Sequence, residues 1–121
     1  MHIHESAEDY LEAILRLREQ KGQVRSVDIA ALLGVTKPSV AFAMKKLREN
    51  ECIHMDEENF ITLTQKGEAI ALRIYARHKT LMSFLTRIGV DEATAREDAC
   101  KLEHDISEES CNALRKHLLR L

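Results

Sequence analysis

The apolar positions of this chain follow two periods, and the switch between them marks its architecture. Tyr10, Ile14 and Leu17, widened by Leu11 and Leu15, form a stripe at helical spacing. Ser6 suits the N-cap of that helix, with Asp9 as its acidic partner, and Lys21-Gly22 closes it. A short helix is expected from about Val27 to Leu33, capped by Ser26 and followed by a turn at Gly34-Val35. A third opens near Lys37-Pro38, with Thr36 as cap and an inner stripe of Val40, Met44 and Leu47. Pro38 falls in its first turn, where a missing N–H does no harm. Between residues 52 and 63 the period shortens. Ile53-His54-Met55 and Phe60-Ile61-Thr62-Leu63 flank the polar run Asp56-Glu57-Glu58-Asn59, which predicts a small hairpin. Thr64 then caps a long helix to about Ile88, ended by Gly89. Asp91 caps a helix reaching about His104, and Ser107 caps a last one running to the chain end.

Helix, short helix, turn, helix and hairpin is the order of a winged helix-turn-helix, with Gly34 supplying the turn. The expected fold class is mainly α: a winged helix-turn-helix domain over residues 1–63, then a helical domain over 64–121. Composition agrees. The chain has 121 residues, 45% of them hydrophobic, too many for a disordered chain. One Pro and four Gly leave little room for the turns of a sandwich. A core of this size is modest, and a small helical protein often completes one by dimerising.

The net charge of −2 argues weakly against nucleic acid, but its distribution argues for it. Residues 21–50 carry six Lys and Arg against two acids, whereas residues 91–110 carry eight acids against two bases. A basic half that meets phosphate is thus separated from an acidic half that holds a cation. The N-terminal end of the second helix of the pair would enter the major groove. There Thr36, Lys37, Pro38 and Ser39 lead to Phe42, and the hydroxyls can bond phosphate or base edges. Phe42 can touch a thymine methyl, although an aromatic beside a core stripe is more often buried. Arg25, Lys45 and Lys46 are candidate phosphate contacts. The bland reading is a three-helix unit with lysines on a solvated face; element order, caps and local charge together favour DNA.

Cys100, Glu103 and His104 stand at i, i+3 and i+4, so on a helix they share one face. Thiolate, carboxylate and imidazole make a mixed set suited to first-row divalent ions. Asp9 and Glu12 repeat the i, i+3 spacing on the first helix, and His78 sits on the long one. Each alone reads as a core cysteine or a solvated charge; together they are six potential ligands on three segments. A metal site joined to a DNA reader implies a metal-sensing transcription regulator. Two alternatives remain open: a winged-helix DNA-binding protein indifferent to metal, and a metalloenzyme using the Cys100/Glu103/His104 cluster. No Gly-rich phosphate loop or oxyanion-type loop supports the enzyme. Cys52, Cys100 and Cys111 are odd in number and show no CxxC spacing, and no signal-like start or long apolar run occurs. That pattern fits a reducing cytoplasm and no membrane span.

The sequence resembles the diphtheria toxin repressor and manganese transport regulator family of metal-dependent repressors. The marks run along nearly the whole chain: Glu8-Asp9-Tyr10-Leu11-Glu12, Asp28-Ile29-Ala30, Pro38-Ser39-Val40, Leu63-Thr64-Gln65-Lys66-Gly67, Arg77-His78 and Cys100-Lys101-Leu102-Glu103-His104. The resemblance implies a helical metal-binding and dimerisation domain after the winged helix, a homodimer, and a palindromic double-stranded DNA operator upstream of metal-uptake genes. It also implies that Asp9, Glu12, His78, Glu103 and His104 match ligands of manganese-type members. Cys100 departs from their Glu and is similar to iron-type members, which in turn carry Met where this chain has Asp9. The implied cofactor is Mn(II) or Fe(II), with Co(II) or Zn(II) as further candidates. The sequence ends at Leu121, just after the expected dimerisation helices, at the point where larger members continue into an SH3-like third domain.

Overall fold

The computed structural model describes residues 5–120. Six helices and one hairpin follow in the order α1 (Glu5–Lys21), α2 (Ser26–Leu33), α3 (Lys37–Glu49), β1 (Ile53–Met55), β2 (Ile61–Leu63), α4 (Gln65–Arg87), α5 (Glu92–Leu102) and α6 (Glu108–Leu118). The chain divides into two compact units, one ending at Leu72 and the other beginning at Arg73. The winged helix-turn-helix and the all-helical segment after it are both present as expected.

In the first unit α1 is the central element. Leu11, Ala13, Ile14, Leu15 and Leu17 are all buried, so it is covered on more than one face. Against it pack α2 through Ile29 and α3 through Val40, Met44 and Leu47, the stripe read from the sequence. The chain bends by 117° between α2 and α3, within the range of helix-turn-helix pairs. Gly34 makes that bend possible with φ 66°, where a Cβ would be strained, and its N–H closes α2 on the Ala30 carbonyl. β1 and β2 pair antiparallel in the register Ile53↔Leu63, His54↔Thr62, Met55↔Ile61. The hairpin is tied at its tip by the Asp56 carboxylate, which accepts from the N–H groups of Glu58 and Phe60. Ile61 also donates to the Val24 carbonyl at 2.7 Å, fastening the wing to the loop before α2.

Two caps differ from expectation. Ser6 lies inside α1, which already runs at Glu5. Ser26 is the first residue of α2, and Arg25 is the N-cap. Here the capping bond comes from the other partner: the Asp28 carboxylate accepts from the Arg25 N–H at 2.9 Å, so no short polar cap side chain is needed. Thr36, Thr64, Asp91 and Ser107 cap α3, α4, α5 and α6 as read, each accepting from a backbone N–H of the first turn. α5 stops at Leu102, two residues short of His104.

In the second unit the end of α4, α5 and α6 share a small core of Ile74, Leu81, Ala95, Ala99 and Cys111. Arg115 of α6 donates to the Thr80 hydroxyl of α4 at 3.2 Å. Ile88, Leu102 and Leu119 remain exposed. Among the described residues no single helix is long and apolar enough to cross a membrane.

Candidate metal centre and nucleic-acid interface

The second unit gathers three ligand types in one place. His78 lies midway along α4, Cys100 in the last turn of α5, and Glu103 at that helix's C-cap. Their donor atoms all lie within 4.8 Å of one another. His78 Nδ1 is 3.1 Å from Glu103 Oε2 and 3.9 Å from Cys100 Sγ. The helix ends before Glu103, yet Glu103 keeps right-handed helical angles (φ −60°, ψ −24°). That preserves its i, i+3 relation to Cys100. His104 follows in the turn, its Nε2 3.6 Å from Glu103 Oε1.

Burial decides what this cluster can do. Glu103 is fully buried and His78 nearly so, whereas Cys100 is exposed. Glu103 Oε2 faces the His78 ring, but Oε1 makes no hydrogen bond among the described residues. A buried carboxylate oxygen without a partner costs about 1–3 kcal/mol. A cation beside it removes that cost, so the orphaned oxygen fits a metal ligand better than a structural acid. Thiolate, imidazole and carboxylate at this spacing suit a divalent transition ion.

Asp9 and Glu12 stand one turn apart on α1, in the first unit. Asp9 is half-buried and Glu12 is buried, with Arg16 donating to Glu12 Oε2 at 3.2 Å.

The first unit presents the second candidate site. Arg25, Thr36, Lys37, Pro38, Ser39, Phe42, Lys45 and Lys46 are all exposed. Phe42 is 65% exposed, on the face of α3 away from Val40, Met44 and Leu47. The concern that an aromatic beside the core stripe would be buried does not apply. Lys46 Nζ sits 5.2 Å from the Phe42 ring centroid, one helical turn on. The Thr36 hydroxyl accepts from the Ser39 N–H and lies 2.8 Å from the Ser39 hydroxyl, so much of its bonding capacity goes to the cap. The Arg25 guanidinium stacks on the Phe60 ring at 4.2 Å. A cleft of about 470 Å³ opens beside it, lined in part by Lys45 and Arg48 and by Met55 and Asn59 of the wing. Arg48 was not among the residues picked from the sequence. Its signal was its place three residues after Lys45, on the same helical face.

Residues 2–59 match the family described as iron dependent repressor, N-terminal DNA binding domain. Residues 64–121 match iron dependent repressor, metal binding and dimerisation domain. The chain belongs to the iron-dependent repressor family. It is 40% identical over 114 residues to the transcriptional regulator MntR of Escherichia coli, covering 94% of this chain and 74% of that one. An uncharacterized HTH-type transcriptional regulator of Methanocaldococcus jannaschii is 39% identical over 115 residues, covering 93% of this chain and 92% of the relative. The solved manganese regulator SloR has a TM-score of 0.83 at 29% identity, over 98% of this chain and 54% of its own. The IdeR of T. acidophilum has a TM-score of 0.82 at 29% identity, over 97% and 55%. The chain thus spans about half the length of these solved structures. The resemblance read from the motifs is the family that the comparisons show. Its relatives are transcriptional regulators.

Proposed function

We propose that this chain is a homodimeric, metal-dependent repressor that binds a palindromic double-stranded DNA operator and controls metal-uptake genes. Its corepressor is a divalent transition ion, Mn(II) or Fe(II), and it works in the cytoplasm without catalysing a reaction. The observation that carries the reading is the fully buried Glu103 carboxylate, with one oxygen that makes no hydrogen bond among the described residues, beside His78 and Cys100. His78, Cys100, Glu103 and His104 of the second unit are the proposed ligands, and the family resemblance adds Asp9 and Glu12 as further ligand candidates. A bound divalent ion supplies positive charge to acids that otherwise repel one another and ties side chains carried on different helices. The softer thiolate of Cys100 favours Fe(II), Co(II) or Zn(II), while the carboxylates pull toward Mn(II).

The DNA surface is the exposed face of α3 with Arg25 beside it. Lys37, Lys45, Lys46 and Arg25 take phosphates, and Thr36, Pro38, Ser39 and Phe42 face the groove. Exposed Ile88, Leu102 and Leu119 are surface that a second copy would cover. Relatives bearing the names MntR, SloR and IdeR support the reading.

The test is selection of duplexes from a random library, followed by gel shifts of the winners with Mn(II), Fe(II), Co(II), Zn(II) or a chelator. Binding that rises with one or more ions and is lost with chelator supports the repressor. DNA binding indifferent to chelator would instead favour the metal-independent winged-helix reading.

A further inference from the structure

The residue before the histidine ligand has an unusual set of partners. Arg77 of α4 is largely buried, its side chain 12% exposed. Its Nη1 donates to the backbone carbonyl of Glu103 at 3.2 Å. Its Nε and Nη2 both donate to Glu108 Oε1, at 3.2 and 2.8 Å. All three bonds therefore end on the six residues that begin with Glu103 and lead into α6. The Glu103 N–H is held separately, by the Ala99 carbonyl at 3.0 Å. The backbone of Glu103 is thus fixed at both its donor and its acceptor, and one of the two anchors is the neighbour of His78. Glu108 is drawn to Arg77 strongly enough that the guanidinium holds its carboxyl below the usual range.

We propose that Arg77 and Glu108 form a clamp whose task is to position the Glu103 carboxylate against His78 and Cys100 for the metal ion. This rests on the metal-binding reading above. Arg77 and Glu108 do not touch the ion; they act through Glu103. The geometric reason is the placement of Glu103 at the C-cap of α5: its N–H makes a last helical bond to Ala99, while its carbonyl lies past the end of the helix and is taken by Arg77. A ligand on a turn drifts unless something locks it, and metal sites need their donors held to within about 0.5 Å. Planar guanidinium suits the task because it reaches a carbonyl and a carboxylate at once, which an ammonium on a flexible stem does not. Ile74, Leu81, Ala99 and Cys111 supply apolar burial in this unit besides these bonds.

The test measures metal binding by the free protein, with Co(II) as probe and no DNA present. Arg77→Met is expected to weaken Co(II) binding about tenfold, the range seen when residues supporting a metal ligand are lost. It should also shift the thiolate-to-cobalt absorption band, because the ligand geometry changes. Arg77→Lys should recover only part of the affinity. Glu108→Gln keeps the shape, sits on the surface and provides the test if Arg77→Met fails to fold. The double variant should bind little worse than Arg77→Met alone, since the two residues act as a unit. Two results overturn the clamp: affinity and band within about twofold of the parent in Arg77→Met and Glu108→Gln, or losses that simply add. If the parent protein itself binds no Co(II), Mn(II) or Zn(II), it is the metal reading that fails.

Discussion

Replacing Gly67 by alanine should destabilise the first unit, opposite to the usual direction for a glycine inside a helix. Ordinarily that change stabilises by up to about 1 kcal/mol through helix propensity. Here the first turn of α4 lies directly on the chain leaving α3. A Cβ at Gly67 would stand 2.0 Å from the Cys52 carbonyl oxygen and 2.9 Å from its carbon. Close carbon–oxygen contacts need about 3.3 Å, so something must move by more than an ångström. Neither side yields easily. Cys52 is fully buried, its N–H donates to Leu47 at 2.8 Å, and its carbonyl accepts from Thr64 at 3.0 Å. The Thr64 hydroxyl and the Lys66 ammonium bind the neighbouring carbonyls of Glu51 and Asn50. Overpacking costs about 1–3 kcal/mol. Loss of the Thr64 bond adds about 1 kcal/mol, which roughly cancels the propensity gain. The net loss is about 1–3 kcal/mol, a fall in Tm on the order of 5–10 °C for a chain of this size. Circular dichroism melts in chelator, where no ion masks the effect, measure it. An alanine variant melting at or above the parent would refute the argument. The wing starts at Ile53, immediately after the displaced residue, so DNA affinity should fall as well.

Three further outcomes are expected. A thiol reagent should label one cysteine per chain quickly, Cys100, because Cys111 is buried and burial pushes the Cys52 thiol upward in pKa; divalent ion should slow that reaction, and fast labelling of two or three thiols would contradict the packing. Asp28 is held below the usual carboxylate range, first by its bond with Lys21 and then by the Arg25 N–H. It therefore contributes stability above its unfolded pKa that is lost as pH falls through the lower folded value. Asp28→Asn should cost on the order of 1 kcal/mol at neutral pH and less below about pH 4; urea unfolding at both pH values measures this, and a difference that grows in acid would reverse the sign. In Lys45→Ala/Lys46→Ala the salt dependence of DNA binding should weaken by about one to two units of slope, and an unchanged slope would place the phosphate contacts elsewhere.

Much of the fold was legible because its determinants are local. A cap joins residues two or three apart, so Thr36, Thr64, Asp91 and Ser107 could be read directly, as could the Val40, Met44, Leu47 stripe. Even locally the reading slipped at Ser26, where Asp28 on the helix side did the capping. The six ligand-type residues could be named from spacing and family resemblance. What the sequence could not show is environment. That Phe42 faces outward depends on which faces α1 and α2 occupy around α3. The need for glycine at residue 67 arises from a carbonyl fifteen positions away, brought close by the hairpin. The orphaned oxygen of Glu103 and the grip of Arg77 on the following turn depend on α4, α5 and α6 excluding water together. Hydrogen bonding between near neighbours is written in the order of residues. Desolvation is a sum over elements remote along the chain, and it exists only once they pack.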